Sequence, residues 1–395
     1  MNRSSKYDVP DLSSGRPEHD LLLRGTDPCR TPEKDECIRA LAAGPIDWDY
    51  LFVLARRHGV LPLFYFQMQQ CAGDLIPPDQ LQRLQKYFQE NSARNVLLTA
   101  ELCSLIDSLG EEGIEAIPYK GPALAVFAYG NVALRRFVDL DVMVRKEDVD
   151  RAIDLLVREG YELSRPLSAS QRGVLLRTQH NLQFRRHKRQ LIVELHWEVA
   201  SHLFASSVQA DELWRGLSEL KLNQMTVKTL SVEDLVFSLC VHGSRHLWER
   251  LLWICDIGWI VARHELQWEK LLERARETNS ERMFLLGLYL CARLLNARFP
   301  ETIWREFEKD SELDELADDV SLGLFNHLEH VPATHVQIFR YNWRIRKTWA
   351  SRARYLRQAV KPTDRDVETV TLPGALSFGY YLTRPFRVLF KGNHE

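Results

Sequence analysis

The stretch RRFVDLDVMVRK, Arg135 to Lys146, decides how the surrounding chain is interpreted. Its apolar residues alternate as in a β-strand, yet two aspartates interrupt them, although aspartate is depleted in strands. Residues two apart on a strand share a face, so Asp139 and Asp141 project together. We expect the other face to point into a core, through Val138, Leu140, Val142 and Val144. Adjacent carboxylates raise each other's pKa, and a bound divalent cation removes that repulsion.

The composition is that of a soluble protein large enough for two or three domains. The chain has 395 residues and a formal net charge of −2, so global charge does not indicate a nucleic-acid or membrane partner. Its seven cysteines are scattered without a CxxC pair, which favours reduced thiols over disulfides or a zinc site. The polar N-terminus lacks the pattern of a signal peptide, and no apolar stretch is long enough for a spanning helix. We therefore expect a cytoplasmic protein.

Hydrophobic periodicity predicts an α+β protein with a small mixed β-sheet between helical regions. We expect a disordered N-terminus over residues 1–18, a helical region over 19–110, a mixed core over 111–204 and a second helical region over 205–395. No internal repeat or low-complexity segment is visible.

Within the core, strands alternate with short helices. IEAIPYKG reads as a strand ending at Gly121, and ALAVFAYG as a helix ending at Gly130. KEDVDRAIDLLVREG is an amphipathic helix with acids in its first turn. NLQFRRHKRQLIVELHWEV reads as a hairpin with RRHKRQ as its turn, and it places Glu194 on the polar face of the second arm.

These parts together point to phosphate and metal chemistry. At the Lys120-Gly121 turn the backbone can approach a phosphate closely, and the N-terminus of the following helix favours an anion. Glu194 adds a third carboxylate to Asp139 and Asp141, and Mg²⁺ prefers oxygen ligands. A lone Asp-x-Asp on an exposed edge strand is an ordinary surface feature. The conjunction of turn, helix and three acids favours a metal-dependent nucleotidyltransferase.

YKGPALAVFAYGNVALRRFVDLDVMVRKEDVDRAIDLLVREGYEL together with VELHWEV resembles the uncharacterised bacterial nucleotidyltransferase family of the polymerase-β-like superfamily. IDWDYLFVLARRHGVLPLFY and SVEDLVFSLCVHGSRHLWERLLWICDIGWIV are similar to flanking segments of that family. The superfamily pattern is a Gly-Gly or Gly-Ser turn, Asp-x-Asp or Asp-x-Glu, and then a further acid. The resemblance implies that Gly121 is the turn glycine, Asp139 and Asp141 the metal pair, and Glu194 the third acid.

The implied reaction is attack of an acceptor hydroxyl on the α-phosphate of an NTP, with ATP as the expected substrate, releasing pyrophosphate. Two Mg²⁺ ions would be bound by Asp139, Asp141 and Glu194. Lys120 and Arg135 are candidates for neutralising the triphosphate, with ordinary surface charge as the alternative. The acceptor is an unidentified small molecule, protein or RNA.

Two departures from the superfamily pattern keep other functions open. Pro122 stands where the pattern has a second turn residue and offers neither hydroxyl nor N–H to a phosphate, and the gap from Gly121 to Asp139 is long. The family has Lys-Gly-Pro at this turn, so Lys120 is the candidate for the missing phosphate contact. One alternative function is a non-catalytic nucleotide-binding or scaffold protein on the same fold.

Another alternative is a toxin-like transferase acting on RNA or protein, suggested by the basic, aromatic segment 340–361. We favour pairing of this segment with the acidic stretch 301–319, since no nucleic-acid module is recognisable. His242 and His246 are four apart on a predicted helix. We favour helix packing or a substrate contact over a metal site for this pair, because no acid follows His242 in a zincin arrangement. His196 shares the face of Glu194 and could orient that carboxylate.

Overall fold

The computed structural model describes residues 15–164, 180–186, 191–198, 210–326 and 333–359. Most of the predicted disordered N-terminus 1–18 and of the predicted RRHKRQ turn lies outside these residues, as does the end of the basic segment 340–361. The first helix begins at Pro17, within the region predicted to be disordered. Across the described ranges, no helix combines the length and apolarity needed to cross a membrane.

Helices make up the N-terminal region. Their ends follow local signals, since Thr31 and Asp47 accept hydrogen bonds from backbone amides in the first turns of their helices. The longest of them, Pro78–Glu111, contributes Leu98, Leu102 and Leu105 to the core beneath the sheet. The helices are Pro17–Arg24 (α1), Pro32–Ala42 (α2), Trp48–Arg57 (α3), Leu61–Cys71 (α4) and Pro78–Glu111 (α5).

A five-stranded mixed sheet follows. Its strands are Ala116–Pro118 (β1), Leu140–Val144 (β2), Glu162–Leu163 (β3), Asn181–Arg186 (β4) and Leu191–His196 (β5). Their order is β1-β2-β5-β4-β3, and only β2 and β5 run parallel to each other. The hairpin arms β4 and β5 pair as predicted. The architecture is therefore α+β, with a small mixed sheet and flanking helices.

Two helices connect the strands as the sequence predicted. Gly121–Tyr129 (α6) joins β1 to β2 and ends at Gly130, whose φ of 72° lies in the left-handed region that favours glycine. Val149–Arg158 (α7) packs its apolar face under the sheet with Leu140, Val142, Val193 and Leu195. One face of the sheet is thus closed by a core, and the other is free to carry polar groups.

The strand carrying the aspartates is shorter than predicted. It begins at Leu140, so Asp139 lies in the segment before it. The prediction that Val138 points into the core is wrong, because the alternation starts only where β2 pairs with its neighbours. Val138 is 38% exposed and lines a cavity.

The region after residue 205 is not entirely helical, contrary to the prediction. Ser218–Leu222 (β6) and Met225–Thr229 (β7) form an antiparallel hairpin, with Asn223 in the turn at a φ of 55°. Leu222, Val227 and Thr229 are buried, whereas Glu219 and Lys228 are exposed. This alternation of buried and exposed residues is typical of a β-hairpin with one buried face, and it explains why the segment is not helical.

Helices form the rest of the described C-terminal region. They are Ala210–Arg215 (α8), Val232–Arg245 (α9), Leu251–Arg263 (α10), Trp268–Glu277 (α11), Glu281–Leu295 (α12), Glu301–Glu308 (α13), Glu312–Phe325 (α14), His335–Arg344 (α15) and Trp349–Ala359 (α16). Arg344, from the basic segment, pairs with Glu312, Glu315 and Asp319 at 2.7–2.9 Å. The intramolecular pairing that the sequence favoured is present at this arginine.

Candidate functional site

The parallel pairing of β2 and β5 brings two carboxylates side by side. Asp141 lies opposite Glu194 in the register of the strands. His196, two residues after Glu194, projects from the same polar face. One ligand atom from each of these three residues lies within 4.8 Å of the others. Carboxylate oxygens and an imidazole nitrogen at this spacing can hold a metal ion.

His196 links the two carboxylates. Its Nε2 lies 3.1 Å from Oδ1 of Asp141 and 3.4 Å from Oε2 of Glu194, and its Nδ1 lies 3.2 Å from the Tyr119 hydroxyl. Burial opposes protonation of His196, but hydrogen bonds to Asp141 and Glu194 outweigh it and raise its pKa. The imidazole therefore orients both acids, which is the role the sequence left open for it.

The two aspartates differ in their protonation. Burial, together with the charges of Asp141 and Glu194, raises the pKa of Asp139 to about 6. Burial also opposes ionisation of Asp141, but Lys120 and the hydrogen bond from His196 lower its pKa to about 2. A hydrogen bond from His196 lowers the pKa of Glu194 as well. The site is an ionised pair with a third carboxyl that titrates near pH 6.

Lys120 supplies positive charge at this centre. Its Nζ is 3.7 Å from Oδ1 of Asp141 and 3.4 Å from Nδ1 of His242. Lys120 lines the cavity, so its ammonium group is within reach of a ligand there.

The backbone conformation and the surroundings of Gly121 explain why this position is a glycine. Gly121 is buried with a φ of 54°, and a Cβ built on it would lie 3.1 Å from the backbone oxygen of Asp139. The close approach therefore sets the position of Asp139. Among the described residues that line the cavity, this turn contributes Lys120 alone. Contact between a phosphate and the Gly121 backbone stays a prediction.

Arg135 is held by a buried ion pair, so the alternative of ordinary surface charge is wrong, and its contact with a triphosphate stays a prediction. Its Nε and Nη2 donate to Asp256 at 2.9 and 3.0 Å, and the Tyr129 hydroxyl donates to the same carboxylate at 2.8 Å. Asp256 is 0% exposed. Arg135 borders the cavity, but its charge is already compensated by a partner 121 residues further along the chain.

These groups lie around a cavity of about 500 Å³. Asp139, Asp141, Glu194 and His196 form its acidic floor, and residues from the end of α9 to the start of α10 form a second side, the α9–α10 wall. The ring centroids of His242 and His246 are 4.6 Å apart, and both rings contact Trp253. Across the described part of the chain, the possible metal cluster contains neither of these histidines. Both histidines line the cavity, so a contact with the substrate stays the prediction for them.

Several residues at the site were not selected from the sequence. Asn181 donates to Oε2 of Glu194 at 3.0 Å, and Arg245 donates to Nε2 of His180 at 2.8 Å. Burial and the nearby Arg245 charge lower the pKa of His180 to about 3, so its neutral imidazole accepts this hydrogen bond. Of these residues, Asn181 could have been found from the sequence. The predicted hairpin pairs β4 with the strand that carries Glu194, and this pairing places Asn181 opposite His196.

The sequence matches the family model described as Uncharacterised nucleotidyltransferase over residues 44–296, more than half of the chain. No curated protein and no solved structure gives a significant match. The matched range contains every residue of the acidic floor and of the α9–α10 wall.

Proposed function

The chain belongs to the uncharacterised nucleotidyltransferase family, and from this premise we propose that it transfers a nucleoside monophosphate from an NTP to an acceptor hydroxyl. The observation that carries the proposal is the side-by-side placement of Asp141 and Glu194 beneath a cavity that Asp139 also lines. The acceptor oxygen bonds to the α-phosphorus while the bond to the bridging oxygen breaks, and pyrophosphate leaves. We propose ATP as the NTP.

The donor set fits divalent metal. Three carboxylates border one cavity, and oxygen ligands are those that Mg²⁺ prefers. Asp139, Asp141 and Glu194 would hold two Mg²⁺ ions, which when bound would supply positive charge to the reacting phosphate and lower the pKa of the acceptor hydroxyl. His196 keeps the Asp141 and Glu194 side chains together, and Asn181 holds Glu194 from the neighbouring strand.

Lys120 has two roles in this proposal. Without a ligand, its ammonium group offsets the charge of Asp141 at 3.7 Å. With a nucleotide present, the same group is placed to neutralise phosphate oxygens, as the sequence suggested for a turn whose next residue is Pro122.

A second candidate is nucleotide binding without turnover. The observation that favours it is the Lys120–Asp141 contact, because an internal cation near the acids reduces the need for a metal ion there. A turn with Pro122 in place of a hydroxyl points the same way. The two candidates differ in pyrophosphate release.

The test measures binding and turnover in the same set of variants. Mg²⁺ with a nonhydrolysable NTP should raise the melting temperature of the parent, since only the folded state binds them. Asp139→Asn and Asp141→Asn should each abolish pyrophosphate release without unfolding the protein. The double variant should be no worse than either one, because both residues serve one site. Retained turnover in a single variant would contradict the proposal, and binding without turnover in the parent would favour the second candidate.

A further inference from the structure

Three arginines that line the cavity differ from Arg135 in their lack of a carboxylate partner. Many of the described arginines form ion pairs with carboxylates, and Arg135 at the cavity edge does so with Asp256. Arg136, Arg245 and Arg250 also line the cavity. Among the described residues, none of these three has a carboxylate within ion-pair distance.

Arg245 is held in place by the surrounding protein. It is partly buried, and burial lowers its pKa, although the negative charge of Glu194 opposes this shift. Its Nη1 donates to the neutral imidazole of His180, which fixes the guanidinium without neutralising it. A charge removed from water without a counterion is unfavourable, and a bound anion would compensate it. Arg136 is partly buried as well, and Arg250 is exposed.

The segment between Arg245, which ends α9, and Arg250, which precedes α10, is held in an uncommon conformation. Leu247 and Trp248 both have positive φ, 52° and 55°, which bulky residues rarely adopt. Trp248 is fully buried, and its ring packs where a Cβ on Gly243 or Gly287 would lie. Such conformations persist where packing enforces them, and they cluster at ligand sites. The anchor at Trp248 fixes the positions of Arg245 and Arg250 on either side of it.

The glycine turn gives this cavity little phosphate-binding capacity. It contributes Lys120, while Gly121 and Pro122 are buried, and Pro122 has no N–H to donate. A polyphosphate bound here needs further cations, and arginine binds phosphate oxygens through two parallel hydrogen bonds.

We propose that Arg245, supported by His180 and joined by Arg136 and Arg250, forms the binding site for the polyphosphate tail of the nucleotide. The inference rests on the proposed function and adds to it the side of the cavity on which the β- and γ-phosphates lie. The tail is held between Lys120 and the three arginines, and the α-phosphate faces the carboxylates.

Calorimetry with Mg²⁺ present tests this, using AMP, ADP, a nonhydrolysable ATP analogue and inorganic tripolyphosphate. Affinity should rise with the number of phosphates. Arg245→Ala should weaken the ATP analogue and tripolyphosphate by about ten- to a hundredfold, as for a lost hydrogen bond to a charged group, and change AMP little. His180→Ala should weaken them less, because it only positions Arg245.

Controls separate a binding defect from a folding defect. Arg136→Ala and Arg250→Ala should reduce tripolyphosphate affinity without changing the melting temperature. Arg305→Ala removes an exposed arginine from α13 and should leave every affinity unchanged. Arg245→Lys should recover part of the lost affinity through its charge.

Unchanged triphosphate affinity in Arg245→Ala, Arg136→Ala and Arg250→Ala would overturn the inference while leaving nucleotidyl transfer standing. If tripolyphosphate binds in a way that depends on Arg245 but neither ADP nor the ATP analogue binds, the polyphosphate site would be supported and the proposed function contradicted. Failure of the parent to bind any of these probes would overturn both.

Discussion

The buried pair Arg135–Asp256 makes the sharpest prediction about how the site is held. Asp256 is 0% exposed and accepts three hydrogen bonds, one from Tyr129 and two from Arg135. Asp256→Ala removes all three and leaves the Arg135 guanidinium buried without a counterion. Breaking a buried pair in this way costs about 3–5 kcal/mol of unfolding free energy. Asp256→Asn keeps the shape of the side chain and should cost less.

Chemical denaturation measures this cost, and an exposed pair of similar geometry supplies the control. Asp74 also accepts two hydrogen bonds from one guanidinium, that of Arg39, but it lies at the surface. Asp74→Ala should therefore change stability little. Replacing both buried partners, with Arg135→Met and Asp256→Leu, should recover part of the loss, because no charge is left uncompensated.

The result that would refute this reasoning is equal stability of Asp256→Ala and Asp74→Ala. The competing role for Arg135, neutralisation of a triphosphate, has a different signature. Under that role Arg135→Met would lower nucleotide affinity at unchanged stability, and Asp256→Ala would leave nucleotide affinity intact.

Two further outcomes follow from the geometry. Gly121→Ala should lower the free energy of unfolding by about 1–2 kcal/mol through its positive φ, and it should also weaken Mg²⁺ binding by displacing Asp139. Gly160 also has a positive φ but open space around it, so Gly160→Ala should show the stability loss alone. Equal Mg²⁺ affinity in the two variants would contradict this role of Gly121. Asp139 has a pKa of about 6 in the fold against 3.8 ordinarily, so the stability it gives the metal-free protein is present below pH 4 and is lost as pH rises through 6. Mg²⁺ affinity should increase about tenfold per pH unit up to about 6 and then level off, because the ion binds the ionised carboxylate. A Mg²⁺ affinity measured by calorimetry that stays constant between pH 5 and 7 would contradict this titration.

Much of the fold near the site was readable from local signals. Gly130 ends α6, and the polar face of an alternating strand places Glu194 where its carboxylate meets Asp141. These features depend on a few neighbouring residues and on the two-residue period of a strand, which a sequence displays directly.

What the sequence did not reveal depends on distant partners. The ion pair of Arg135 was not predicted because its counterion, Asp256, lies on α10, far along the chain. Arg245 and His180 meet only when α9 packs near β4, so neither was selected. The β6–β7 hairpin was read as part of a helical region because its alternation spans only short arms.

The most direct test of the central claim follows a radioactive phosphate through the reaction. Parent protein is incubated with Mg²⁺, a cell extract and ATP labelled at either the α- or the γ-phosphate. Nucleotidyl transfer predicts that the α-label becomes attached to an acceptor while the γ-label appears in pyrophosphate, and that Asp141→Asn abolishes both. Labelling in extract without the protein is the baseline. Attachment of the γ-label above this baseline, or α-labelling above it that persists in Asp141→Asn, would contradict the claim.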